Sequence, residues 1–259
     1  MDLGIRGRRA VVCASSRGLG RACAEALAEA GCEIVINGVD PERLTRTADE
    51  IARATGARVI PVAGDVSRKD VQDALIAANG NPDILVNNNG GPPFRDFREI
   101  DREAMLTGVV MNMVTPIELI QRVIDPMMEC GFGRIVNITS SSVLQAIPGL
   151  DLSSAARAGL TGFLSGVARQ VAGSGVTINN LLPGTFETDR IKAMLASRTK
   201  ATGRSEEDVA AELKAAVPAG RFGQPSEFGH TCAFLCSTHA GFITAQNILV
   251  DGGNVRASF

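Results

Sequence analysis

The residues best suited to chemistry lie in one stretch, Gly133 to Phe163: GRIVNITSSSVLQAIPGLDLSSAARAGLTGF. Its centre sets Ser140, Ser142 and Gln145 on a polar turn, and Ser153 and Arg157 follow in a Ser-x-x-x-Arg pattern. A serine hydroxyl can orient a carbonyl oxygen, but it is far less acidic than a phenol, whose reference pKa is about 10. A guanidinium stays charged and cannot shuttle a proton. It can hold a ribose by hydrogen bonds or stabilise a developing alkoxide. A second stretch, Cys13-Ala14-Ser15-Ser16-Arg17-Gly18-Leu19-Gly20, places glycines where a backbone can approach a pyrophosphate at a helix N-terminus. Further charge lies in Glu187, Asp189, Arg190 and Lys192, which read as a solvated face. His230 and His239 read as structural or surface residues.

These groups need rigid supports, and the pattern supplies them. Ala10–Ala14 is a short apolar strand, and the helix after the glycine loop carries apolar positions at 3–4 spacing and closes at Gly31. Glu33–Asn37 and Arg58–Val62 are strands, the second confined to an edge or end by Pro61; Pro41–Thr55 is a helix with proline near its start. A helix starts near Ser67, and Asp83–Asn87 is a strand. Asn88–Phe94 is a loop, and a long helical region from about Asp101 to Glu129 is expected to break or kink at Pro116 and Pro126. Arg134–Thr139 is a strand, and a helix opens near Ser153. Val176–Leu182 and Asn247–Asp251 complete the strands, with a polar helical insertion over 185–220 and a helix over Ser226–Cys236. Strand and helix alternate without a linker or repeat. The expectation is α/β: one doubly wound Rossmann domain, 1–259, around a parallel sheet of about seven strands.

The chain resembles, over essentially its whole length, the short-chain dehydrogenases/reductases. The matching pieces are the glycine loop, Asp65-Val66, Asn87-Asn88-Asn89-Gly90, Ser140 after its strand, Pro183-Gly184-Thr185-Phe186-Glu187-Thr188, Arg221 to Glu227, and Asp251-Gly252-Gly253. The resemblance implies a dinucleotide held by Ala14, Ser16, Arg17, Gly18, Leu19 and Gly20. It sets Asp65 and Val66 against adenine, Asn88 and Gly90 beside ribose, and Phe186 and Thr188 against the nicotinamide carboxamide. Ser140 and Asn112 match the family's catalytic Ser and Asn, but its Tyr-x-x-x-Lys is here Ser153 and Arg157, and the chain has no tyrosine at all. The family's Thr-Gly opening is Cys13-Ala14, which is compatible with binding if Ala14 has negative φ. These departures mark a divergent, 3-oxoacyl-carrier-protein reductase-like branch.

The functional expectation is therefore an NADP(H)-dependent oxidoreductase acting on a small carbonyl or alcohol substrate. Its altered relay has Ser140 and Asn112 orienting substrate or water, Ser153 at the tyrosine position, Arg157 holding the nicotinamide ribose, and bound water or the substrate itself supplying the proton. NADP(H) is favoured over NAD(H) because the second strand ends in Asn37-Gly38-Val39, with no acid before Asp40, while Arg17 offers a cation to a 2′-phosphate. The alternatives are a dinucleotide-binding protein without turnover, regulatory or scaffolding, and dehydration or isomerisation in the same cleft. A net charge of −2 gives no reason to expect nucleic acid or an anionic membrane. The six cysteines form no zinc pattern, no metal is expected, and no apolar run reaches a membrane span. A reducing, cytoplasmic setting and a homotetramer or homodimer are expected, the latter from small residues along Ser153–Ala172.

Overall fold

Runs such as EIVIN and RIVNI have no polar face, so they are stable only as strands covered on both sides. The computed structural model, which describes residues 1–91 and 94–256, places seven such strands in one parallel sheet. Pro92 and Pro93 of the loop after Asn88 lie outside the described residues. In chain order the elements are β1 (Arg9–Val12), α1 (Gly18–Glu29), β2 (Glu33–Gly38), α2 (Pro41–Thr55), β3 (Val59–Ala63), α3 (Lys69–Ala77) and β4 (Ile84–Asn87). Then come α4 (Arg102–Val109), α5 (Thr115–Glu129), β5 (Gly133–Ile138), α6 (Asp151–Val171) and β6 (Val176–Pro183). The last are α7 (Asp189–Thr202), α8 (Glu206–Ala215), α9 (Pro225–Leu235) and β7 (Asn247–Val250). Most expected boundaries agree within about two residues.

The strand order is β3-β2-β1-β4-β5-β6-β7. The chain starts in the middle and reverses direction between β1 and β4, which opens a crevice at the strand ends there. β3 is an edge strand, so Pro61 needs no second partner. One face of the sheet buries Leu27, Ile34, Leu44, Ile51 and Phe228; the other buries Leu75, Leu119, Val123, Met127, Leu160 and Leu164.

The region expected to break at Pro116 behaves otherwise. It widens for one turn, Val110–Val114, where Thr115 N–H donates to the Val110 carbonyl five residues back, and then continues. Pro116 lacks an N–H, so the Asn112 carbonyl has no α-helical donor, and a π turn absorbs the mismatch. The stretch Arg102–Glu129 is consequently one 28-residue helix with mean hydropathy 1.3 over its most apolar window. By length and composition it reaches a membrane span, contrary to the sequence expectation, because the helix does not stop at the proline. Its inner side, Leu119, Ile120, Val123 and Met127, packs on the sheet.

Four asparagines sit side by side across the sheet, in register: Asn87 on β4, Asn137 on β5, Asn180 on β6 and Asn247 on β7. Each amide donates to the next. Asn87 Nδ2 reaches Asn137 Oδ1 at 2.9 Å, Asn137 Nδ2 reaches Asn180 Oδ1 at 3.2 Å, and Asn180 Nδ2 reaches Asn247 Oδ1 at 2.8 Å. The row satisfies polar groups that the interior would otherwise penalise, and it ends at Asn87 Oδ1, which has no protein partner.

Candidate active site

The glycine loop joins β1 to α1 at the crevice. α1 has no side-chain cap and no acid in its first turn, so its first N–H groups face the crevice uncompensated. A Cβ on Gly18, at φ +60°, would meet only Thr188 Cγ2, at 3.9 Å, so the space between loop and Thr188 is open. A Cβ on Gly20 would stand 2.4 Å from the Ala14 carbonyl oxygen and 2.7 Å from Asn88 Nδ2, so only glycine fits there. Asn88 Nδ2 in turn donates to that Ala14 carbonyl at 3.0 Å. An open, donor-lined cradle of this kind fits a dinucleotide pyrophosphate.

Ala14 corrects the sequence reading. Its φ is +44°, in the left-handed region, not negative. The turn demands the backbone that the family's glycine adopts freely, and alanine holds it at a penalty on the order of 1–2 kcal/mol. The ring of Phe186 also turns inward and is buried, 5.4 Å edge-on from Phe228. Thr188 Oγ donates to the Phe186 carbonyl at 3.4 Å. Asp65 accepts from the Ser67 backbone and hydroxyl, beside buried Val66. Leu19 is half-buried against the core, Ser16 abuts Gly38 at the end of β2, and exposed Gly90 donates its N–H to Asn89 Oδ1 at 2.8 Å. Asp40, the first acid after β2, caps α2 by accepting from Arg43 N–H. Arg17 is exposed and lies 3.8 Å from Asp189.

At the next strand end along, the reaction residues come together. Arg157 is 8% exposed; its Nε donates to Ser153 Oγ at 3.2 Å and its Nη1 to the Ile138 carbonyl at 2.7 Å. No carboxylate pairs with it among the described residues. Burial, and then the nearby charge of Arg190, push its pKa down to about 10, so it remains a cation at neutral pH. Ser140, two residues beyond Ile138, accepts from Ser142 N–H at 3.1 Å.

Behind Arg157 is a cavity of about 20 Å³ walled by Asn87, Asn112, Thr115 and Arg157, among others. Asn87 Oδ1, Asn112 Oδ1 and Thr115 Oγ are buried there without a protein partner. Its size and polar lining suit a single water molecule. A larger cavity of about 420 Å³ opens on the other side of Ser153, between α4 and the turn before α6.

Asn87 and Asn89 belong to the matching segment but were given no role by sequence, and Thr115 was not singled out; Asn89 Nδ2 donates to the Met111 carbonyl inside the π turn at 3.1 Å. The Asn-Asn-Asn run and Pro116 were the available signals. The histidines stand apart: His230 lies 3.6 Å from Glu29 at the surface, and His239 Nε2 bonds the Asp2 carbonyl.

Comparison with known proteins fits this geometry. Residues 13–254 match a family described as Enoyl-(Acyl carrier protein) reductase. The chain is 33% identical over 251 residues to the 3-oxoacyl-[acyl-carrier-protein] reductase FabG of Vibrio cholerae, covering 97% of this chain and 98% of that one. L-sorbose reductase from Gluconobacter frateurii, solved with NADPH and L-sorbose, superposes with a TM-score of 0.95 at 28% identity, over 99% and 100% of the two chains. A 3-oxoacyl (acyl-carrier-protein) reductase from Agrobacterium tumefaciens C58 with NADP bound gives 0.87 at 29% identity, over 97% and 96%.

Proposed function

The chain belongs to the short-chain dehydrogenase/reductase family, and on that premise we propose that it is an NADPH-dependent carbonyl reductase in which a water molecule takes over the proton donation of the missing tyrosine. Bound NADPH would supply the hydride for the carbonyl carbon. Gly18, Leu19, Gly20 and Ser16 would hold the pyrophosphate side, Asn88 and Gly90 the ribose side, and Thr188 with the Phe186 backbone the carboxamide. Ser140 would donate to the carbonyl oxygen, and Arg157 would stabilise the negative charge developing on it. The water that Arg157, Asn87 and Asn112 can hold would then deliver the proton. The observation that carries this reading is the buried Ser153–Arg157 pair, with its unpaired cation, beside a cavity of one-water size lined by orphaned amide oxygens. The six thiols, none of them in a disulfide, suit a reducing cytoplasm.

The first test is NADPH fluorescence titration followed by a carbonyl turnover screen on the same sample. Because Asp40 is engaged in capping and Arg17 is exposed, NADP(H) should bind more tightly than NAD(H). Arg17→Ala should weaken NADPH by about 1–3 kcal/mol, the scale of hydrogen bonds to a charged group, and leave NADH nearly unaffected. Equal losses for both cofactors would refute the assignment of Arg17 to the 2′-phosphate.

We read the assembly as a homotetramer or homodimer. Met105, Leu106 and Val110 of the long helix and Phe163 of α6 are exposed, next to outward Ala155, Gly162 and Gly166. Such an apolar face with small residues admits another helix at close range. Sedimentation at micromolar concentration should give a dimer or larger, and a monomer would overturn the reading.

A further inference from the structure

The geometry points to a substrate class: a carbonyl compound that carries a carboxylate, held through that carboxylate by Arg190 with its carbon chain in the cavity beside Ser153. The inference rests on the carbonyl-reductase reading and adds to it what the substrate must carry.

Two cations stand just beyond the walls of one cavity. The 420 Å³ cavity has Gly91 and Ser153 among its walls. Behind Ser153 stands Arg157, bonded to its hydroxyl and buried. Across Gly91 lies Arg190, its Nη1 2.9 Å from where a Cβ on Gly91 would be. Neither arginine has a carboxylate partner among the described residues, although eleven other arginines do.

The placement of Arg190 is unfavourable on two further counts. It sits in the first turn of α7, where the helix dipole disfavours a cation. It is also close enough to Arg157 that each charge opposes the other. The adjacent acid, Asp189, faces Arg17 instead. Unpaired like charges gathered at a cleft are stabilised together by one bound anion.

The rest of the cavity says what accompanies that anion. Ile100, Ala104, Met111, Leu150 and Leu152 give it apolar walls. Its acids are Asp101 and Glu103, but Asp101 is engaged in capping α4 by accepting from Ala104 N–H at 2.8 Å. Arg95, also in the wall, has no ion-pair partner among the described residues and adds to the positive side. The open cradle between Gly18 and Thr188 provides for the cofactor's pyrophosphate on the glycine-loop side. Arg190 reaches instead toward Gly91 and the reaction side. A short oxo acid fits this division, and its carboxylate takes no part in the electron transfer.

The test compares acetoacetate with its methyl ester, using the full-length protein. With NADPH, kcat/KM should favour the acid at least tenfold, and Arg190→Ala should reduce that ratio at least fivefold, with Arg190→Lys retaining part of it. Binding is read separately, as the thermal shift that acetoacetate gives the protein saturated with NADP⁺, a complex that cannot react. The shift should appear in the wild type, weaken with salt, and vanish in Arg190→Ala. Acid binding without turnover of any carbonyl would leave the anion site standing and remove the reductase reading. Turnover with an acid-to-ester ratio at or below one overturns the anion site and leaves the reductase. A ratio that survives Arg190→Ala, or a variant that loses NADPH affinity instead, assigns Arg190 to the cofactor and also overturns it.

Discussion

Installing a phenol and an ammonium together, as Ser153→Tyr with Arg157→Lys, is expected to raise NADPH-dependent ketone reduction by roughly 10²–10⁴-fold, the range a positioned general acid contributes. The structure has room for the change. Ser153 is 5% exposed, yet its other side borders the cavity of about 420 Å³, where a phenol ring can extend without displacing the sheet. Arg157 Nη1 now reaches the Ile138 carbonyl, immediately before Thr139 and Ser140, and a lysine from the same helix position keeps a cation beside that strand end. Ser153→Tyr alone should gain less, because a buried guanidinium has a different shape and cannot relay a proton. The measurement is steady-state kcat with a simple ketone, together with NADPH affinity. A double variant that binds NADPH as the wild type does, with both proteins inert toward every carbonyl, would sink the redox reading in favour of a dinucleotide-binding protein without turnover.

The second large effect falls on activity, with stability level or lower. Arg157→Met should melt no higher than the wild type and lose about 10²-fold or more of any turnover, the scale of removing one group that stabilises an oxyanion. A pKa pushed down to about 10 by burial means that the folded protein disfavours the cation by on the order of 3 kcal/mol. Methionine removes that penalty. It also removes the charged donors to Ser153 Oγ and the Ile138 carbonyl, at about 1.5–3 kcal/mol each, which offsets that gain or exceeds it, so Tm should stay level or fall by a few degrees. The sign fixes the pH dependence. The folded-state pKa of this base lies below its unfolded value, so the penalty is fully present through neutrality and lifts only as pH rises above about 10. The stability difference between the two proteins should therefore be flat near pH 7 and shift in favour of the wild type in strong alkali. A variant that melts several degrees higher than the wild type at neutral pH would show that the two hydrogen bonds do not offset the burial of the charge.

Much of this was legible in the sequence, for physical reasons. β-branched runs bounded by Gly, Asn and Asp can hardly be anything but buried strands, and Pro61 could be tolerated only at an edge. The glycine loop was readable because it sat between such a strand and an amphipathic helix. What escaped was conformation that leaves spacing untouched. Alanine at position 14 preserves the length of the loop, so nothing announced its positive φ. Pro116 was visible, but whether a helix kinks or widens at a proline depends on what packs around it. The orphaned oxygens of Asn87 and Asn112 exist only because of which way side chains face, and Arg190 matters only because of Gly91, a neighbour ninety-nine positions away.

The row of asparagines across the strand ends has a consequence that reaches beyond packing. Each amide offers one oxygen to the previous neighbour and one N–H to the next, so the four form a polarised queue with a head and a tail. Turning one amide over would set oxygen against oxygen on one side and N–H against N–H on the other, so the queue reverses as a whole or not at all. Its tail is Asn247, exposed on the outermost strand; its head is the Asn87 oxygen beside Arg157, roughly 14 Å away across three strand spacings. Which atom the protein presents to the buried Arg157 cation is thus tied to the orientation of a side chain on the far rim of the sheet. Asn247→Asp would keep an acceptor at that rim and hold the queue in its present sense, whereas a residue that only donates there would press all four amides to turn.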